Sequence, residues 1–206
     1  RDFSSPGSAL DIGCGRALTL ALLKQRGWKV TGTEFSQDLA NAAREAYDIE
    51  VSVQPSLKEC NFDAASFDLI SMYHVLEHVQ NPFETLAEIR RILRPNGIFF
   101  VEVPDVSSWQ ARLGQGKWFH LDTPRHLWHF DQHSLINLLK ENGFEILSQS
   151  THSLEYGYYG FWQTLLNRLT KNMNAVYSLL KRHRPLTDDL LISAVSAIPA
   201  AVIAFP

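Results

Sequence analysis

The chain has 206 residues, 45% apolar and 20% charged, with a formal net charge of −3. That length suffices for one domain with a large core, and a weakly acidic whole argues against a nucleic-acid binder, which shows a basic face. Two cysteines, Cys14 and Cys60, are too few to staple a secreted scaffold and stand in no CxxC or zinc spacing. The opening Arg1-Asp2-Phe3 carries no charged-then-apolar leader, so the expectation is a cytoplasmic protein whose native N-terminus precedes Arg1.

The first two thirds alternate strand and helix signals. Ser8–Ile12 is a short apolar run ending at a glycine turn, and Ala17–Gln25 reads as a helix closed by Gly27. Lys29–Glu34 is β-rich; Gln37–Tyr47 is Ala-rich and helical with Ser36 as N-cap; Glu50–Val53 is another short strand. Phe67–Tyr73 is a continuous apolar strand, and Pro82–Leu93 an amphipathic helix with proline at its first position. Arg94–Gly97 reads as a turn, Ile98–Val103 as a strand, Gln132–Glu141 as a helix stopped by Asn142-Gly143, and Phe144–Ser148 as a sixth strand. Strands alternating with helices of about ten residues predict an α/β, doubly wound, mostly parallel sheet.

Two segments break this rhythm. Pro104–Phe130 is dense in aromatics and histidines. Beyond it, Phe161–Leu180 is amphipathic, Lys181–Arg184 is basic, and Leu190–Phe205 is apolar. That tail falls short of the ~20 residues needed to span a bilayer. It is expected to pack on the protein's own core, with a membrane-surface or lipid-substrate role as the alternative. The expected organisation is a domain over 1–153 with a cap insertion at 104–130, then a helical C-terminal extension over 154–206.

The most informative segment is Ala9-Leu10-Asp11-Ile12-Gly13-Cys14-Gly15-Arg16-Ala17. Glycine permits left-handed angles and close approach of a ligand to the main chain. Asp11 ends the first strand, where doubly wound sheets place ligands, and its carboxylate can pair with an ammonium group. A dinucleotide fingerprint requires a third glycine where Leu18 stands, so it fails. Glu34 ends the second strand and suits a ribose diol.

Taken in order and spacing, LDIGCGRA, VTGTEFS, SFDLISMYHVLEHVQNP and LRPNGIFFVEVP resemble the class I S-adenosylmethionine methyltransferases. The LEH segment and WFHLDTPRHLWHF are similar to a bacterial small-molecule branch (methyltransferase type 11/23-like) related to the quinone O-methyltransferases. The resemblance covers about Leu10 to Ser150 and implies a Rossmann-like fold with S-adenosylmethionine as cofactor. It implies that Asp11 lies near the cofactor's amino group and that Gly13, Cys14 and Gly15 pass under its ribose and methionyl part. Glu34 would bind the ribose hydroxyls, with Phe35 and Leu57 on the adenine faces and Tyr73 and His74 beside the methionine. Two positions depart from the pattern: Ala17 replaces a frequent third glycine, and Ser56 stands where an acidic residue often contacts the adenine.

Methyl transfer from a sulfonium needs alignment, and a base only where the acceptor must lose a proton. His126, in the aromatic segment, is the first choice for that base, with His74 and His78 as further candidates. The other reading for His120, His126 and His129 is loop packing against backbone carbonyls. Arg125 could hold a carboxylate or phosphate on the acceptor. His74-Val75-Leu76-Glu77-His78 also fits an HxxEH zinc pattern, but a strand before it and Asn81-Pro82 after it leave little room for the helix that pattern needs. Glu77 and His78 read first as braces of the loop; a divalent ion beside them is the alternative, and no metal is expected. Cys14, without an evident base, reads as structural.

The resulting expectation is a methyltransferase acting on a small-molecule or lipid-like acceptor at oxygen, with no nucleic-acid partner. The rival readings are a non-catalytic cofactor-binding scaffold, a nicotinamide oxidoreductase, and a membrane-surface adaptor using the basic cluster and tail.

Overall fold

The computed structural model describes residues 6–151, 156–169 and 174. The chain divides into two units: one holds the chain through Pro104 and His133–Ile146, the other Asp105–Gln132 and the chain from Leu147 onward.

The first unit is built on β1 (Ser8–Ile12), β2 (Lys29–Thr33), β3 (Glu50–Ser52), β4 (Phe67–Tyr73) and β5 (Leu93–Glu102). Every pairing is parallel and the order is β3-β2-β1-β4-β5. Parallel neighbours require crossovers, supplied by α1 (Leu18–Gln25), α2 (Gln37–Tyr47) and α3 (Pro82–Ile92). The chain winds outward from β1 in one direction and from β4 in the other. Its topological switch point, where such sheets bind ligands, is therefore the β1/β4 crevice.

Burial explains why these runs are strands and helices. Leu10, Ile70 and Met72 are fully buried in the central strands, as expected for a sheet covered on both faces. Ala17, Leu20, Ala21, Ala40, Ala43, Ile49 and Val51 form one apolar cluster, so the small residues of α1 and α2 are what let them lie close to β1–β3. The expected caps are present: Ser36 Oγ accepts from Leu39 N at 3.4 Å, and Asn81 Oδ1 accepts from Glu84 N at 3.3 Å, with Pro82 at the first helical position.

Three expectations are corrected. Ala17 is not the first residue of α1 but its N-cap, in the left-handed region at φ 58°. The Arg94–Gly97 turn does not precede β5 but lies within it. Phe67 pairs with Leu93 and Leu69 with Ile98, so the turn is extruded as a bulge, with Asn96 at φ 61°. Phe144–Ser148 is not a strand. No strand among the described residues pairs with it, and strand geometry has nothing to sustain it without a partner. Instead Phe144 packs its ring 5.4 Å from that of Phe99, just after the helix Gln132–Glu141 (α5) and its closing Gly143, whose carbonyl accepts from Arg90.

The second unit contains α4 (Trp109–Gly114), two short 3-10 turns at Gln115–Lys117 and Phe119–Leu121, and α6 (Tyr156–Leu169). Its packing is partly polar. Thr164, fully buried, donates to Gly160 O at 2.7 Å and accepts from Phe119 N at 3.1 Å. The remainder of the expected Phe161–Leu180 helix beyond Leu169 (Asn174 excepted), the basic cluster Lys181–Arg184 and the apolar tail Leu190–Phe205 lie outside the described residues. Among the described residues no helix is long and apolar enough to cross a membrane.

Candidate functional site

The glycine loop after β1 is shaped by three left-handed residues at alternate positions: Gly13 at φ 70°, Gly15 at φ 55° and Ala17 at φ 58°. At Gly13 a Cβ would collide with Val75 Cγ2, whereas at Gly15 there is open space where a Cβ would stand. The first glycine thus lets the loop sit on the β4 crossover, and the second leaves its main chain approachable by a ligand.

Glu34, at the end of β2, fastens this loop. Its Oε2 accepts from Gly15 N and its Oε1 from Ser36 N, both at 2.9 Å. The loop is further tied by Cys14 N donating to Thr33 O at 2.9 Å. Glu34 therefore joins the start of α1 to the start of α2, and each of its oxygens keeps lone-pair capacity for a further donor.

Asp11 lies at the end of β1, only 5% exposed, and its Oδ1 accepts from Ser71 Oγ of β4 at 2.7 Å. Burial pushes its pKa up to about 6, against the lowering effect of the Ser71 bond and with a smaller upward push from Glu34. A carboxylate so reluctant to ionise is a strong acceptor for any cation brought to it. Burial, with smaller pushes from Asp11 and Glu34, likewise raises the Cys14 thiol to about 12, so it is inert at neutral pH, as its structural reading requires.

Phe35 is 79% exposed beside Glu34, and Leu57 is buried in the 3-10 turn Leu57–Cys60. Ser56, at the departing position, donates to Glu59 Oε1 at 2.8 Å. Tyr73, half-exposed at the end of β4, rests against Phe100 of β5 with ring centroids 4.8 Å apart.

His74 follows with a left-handed backbone, φ 53°. Its Nε2 is 3.2 Å from Glu102 Oε1 and its Nδ1 3.4 Å from Glu77 Oε1. Burial alone lowers its pKa, but the bonds to Glu102 and Glu77 outweigh burial and raise it to about 9. At neutral pH His74 is therefore a cation, with no lone pair to take a proton. Glu102 was not among the sequence-derived candidates. Its signal was parity: it pairs with Tyr73 across β4 and β5, which sets it at the strand ends beside His74. His78 is exposed in the turn after β4, its backbone N–H bonded to Val75 O at 2.9 Å, and Glu77 beside it is 1% exposed.

The other histidines belong to the second unit. His126 is 8% exposed and its Nδ1–H donates to His120 O at 2.7 Å. A carbonyl only accepts, so the neutral ring carries its lone pair on Nε2, which lies 3.9 Å from Asp122 Oδ2. His129 donates from Nε2 to Leu121 O at 3.0 Å. The Arg125 guanidinium is engaged by Asp122 at 2.7 Å. Backbone carbonyls thus hold the His126 and His129 rings.

Residues 2–149 match the family model described as a methyltransferase domain. The chain is 31% identical over 101 residues to a ubiquinone biosynthesis O-methyltransferase of Glaesserella parasuis, covering 45% of this chain and 43% of the relative. The chain spans about a third to a half of the length of the curated relatives it matches. Among solved structures, a SAM-dependent methyltransferase of Thermotoga maritima is 26% identical with TM-score 0.58, covering 69% of this chain and 66% of that one. A SAM-dependent methyltransferase of Archaeoglobus fulgidus shares the fold at 19% identity and TM-score 0.58, covering 84% and 81%.

Proposed function

The chain belongs to the methyltransferase domain family, and on that premise we propose that it uses S-adenosylmethionine to methylate a small-molecule acceptor at oxygen. The observation that carries the reading is the pair of carboxylates at the strand ends. Asp11 is buried with a raised pKa, and Glu34 is bonded to the glycine loop. The open space at Gly15 and the exposed ring of Phe35 fit a flat nucleoside laid along the loop.

When bound, S-adenosylmethionine supplies a methyl group already activated on its sulfonium. Asp11 would receive the amino group, and an ammonium there returns its carboxyl to the ionised form. Glu34 would accept from the ribose hydroxyls through the lone pairs that Gly15 and Ser36 leave available. Phe35 and Leu57 would bracket the adenine, and Tyr73 would border the methionine end. The role of proton acceptor falls to His126, whose tautomer is set by the His120 carbonyl and whose Nε2 carries the lone pair. His74, held cationic between two carboxylates, is instead a brace for the turn after β4. The oxygen target rests on the quinone O-methyltransferase relatives, whose names give that chemistry for themselves.

Calorimetric titration with S-adenosylhomocysteine, with NAD as control, tests the cofactor. Saturable binding of the first alone is expected, weakened about a hundredfold in Glu34→Ala, because two charge-assisted bonds to the loop are lost with the carboxylate. Equal binding of NAD would remove the reading. In turn, His126→Gln is expected to keep S-adenosylhomocysteine affinity and to lower turnover by the 10²–10⁴-fold typical of a lost general base; unchanged turnover would take the base role from it.

A further inference from the structure

We propose that the second unit carries a phosphoryl-binding notch formed by Gly114, Gln115, Gly116, Lys117 and Arg168, a site that does not depend on the methyl-transfer reading. These residues line an open concavity of about 280 Å³. Two basic residues line it from separate segments, Lys117 from the 3-10 turn and Arg168 from the last turn of α6. Among the described residues no carboxylate pairs with either of them.

The notch is held in shape from beneath. Gly114 lies so close to α6 that a Cβ would stand 2.6 Å from Thr164 Cγ2 and 2.8 Å from Trp118 Cβ. Gln115 takes φ 49°, ψ −132°, a strained conformation for a non-glycine residue that persists only where its surroundings impose it. The carbonyl of Lys117 is held by Asn167 Nδ2 at 3.2 Å, and Asn167 is fully buried in a network with Gln163 at 2.9 Å and Asn174 at 2.7 Å. Arg168 is held by its Nη1–H donating to Leu113 O at 2.7 Å, which leaves its other N–H groups for a ligand. A buried amide network spent on holding one exposed loop is hard to explain by packing alone, since apolar residues fill a core without a desolvation cost.

The chemistry selects the ligand. An anchored guanidinium and an exposed ammonium, neither paired with an acid among the described residues, suit a dianion, and a planar guanidinium beside an ammonium suits tetrahedral phosphoryl oxygens. Gly116 has open space where a Cβ would stand, so an oxygen can approach the main chain there. The shared ligand chemistry is a phosphate monoester, free or as a lipid headgroup.

The test uses the whole chain and the variant Lys117→Gln, whose side chain is exposed and outside the packing. Phenyl phosphate is titrated by 31P NMR at low ionic strength, with benzenesulfonate added as a monoanionic competitor. Flotation on phosphatidic acid vesicles, against phosphatidylcholine vesicles, is run in parallel. The expected result is saturable phosphate binding that Lys117→Gln weakens at least tenfold, while S-adenosylhomocysteine affinity and the melting curve stay unchanged. Loss of vesicle binding in the variant assigns the source to a lipid headgroup, and binding of the soluble ester alone assigns it to a free one. No saturable binding of either probe up to about 10 mM phosphate, or binding that Lys117→Gln leaves unchanged, overturns the proposal.

Discussion

The strand ends of the first unit and the histidine-rich segment of the second solve the same problem with opposite chemistry. At the strand ends acidic side chains satisfy backbone N–H groups or a buried cation: Glu34 takes Gly15 and Ser36, and Glu77 and Glu102 take His74. In the segment around His120–His129, ring N–H groups satisfy backbone carbonyls, His126 on His120 and His129 on Leu121. The first arrangement stores charge in a buried place and so answers to pH. The second rests on ring N–H donors, each giving a carbonyl an ordinary hydrogen bond.

Changes at Asp11 should separate the two regions most sharply. Its folded pKa of about 6 lies above the ordinary 3.8, so the folded chain holds the extra proton. Its favourable contribution is complete below about pH 4 and is lost as pH rises through 6. At pH 8 Asp11→Asn is expected to stabilise the unliganded chain by about 2–3 kcal/mol while weakening S-adenosylhomocysteine binding. Urea melts at pH 4, 6 and 8 check the sign, and a variant less stable than the parent at pH 8 would refute the assignment.

His74 comes next, and in another pH window. Its pKa rises from 6.5 to about 9, so its contribution is present below 6.5 and disappears as pH passes 9. Parent stability should decline across that interval, and His74→Gln should flatten the decline by about 2 kcal/mol. Equal slopes for parent and variant would mean that the two carboxylates do not hold a proton there.

Smaller effects are expected elsewhere. His129→Ala removes one bond from an exposed ring and should cost about 1 kcal/mol or less. Ala17→Gly should be smaller still. It relieves a left-handed alanine, worth roughly 1–2 kcal/mol, but gives up a buried methyl of about 0.8 kcal/mol and adds chain entropy. A melting shift of several degrees in either direction would show that one of those opposing contributions is misjudged.

The same contrast explains what the sequence made legible. The first unit is regular because strand, glycine turn and helix succeed one another in a parallel sheet, and each run must be apolar where covered. Asp11, Gly13, Gly15 and Glu34 could therefore be placed at strand ends by counting along the chain. Misreadings came where local propensity met a tertiary constraint. Alanine favours helix, yet Ala17 is forced left-handed as a cap. Arg94–Gly97 has turn chemistry, yet Leu93 still pairs with Phe67 on its far side. Phe144–Ser148 has strand composition without a partner among the described residues. Glu102 was missed because its importance lies in register with Tyr73, which no single run displays. Pro104–Phe130 has no clean period to read, and in the amphipathic stretch of the second unit the buried Gln163, Thr164 and Asn167 look in sequence like an ordinary polar helix face.

The double grip of Glu34 has a consequence for the timing of recognition. A loop of three left-handed residues would sample many shapes if left to itself, and a ligand arriving at it would have to wait for the right one. With Gly15 and Ser36 already fastened to one carboxylate, that search is completed during folding. Little ordering cost remains for the encounter, so association should run at a rate set by diffusion and orientation, and residence time by the contacts made afterwards.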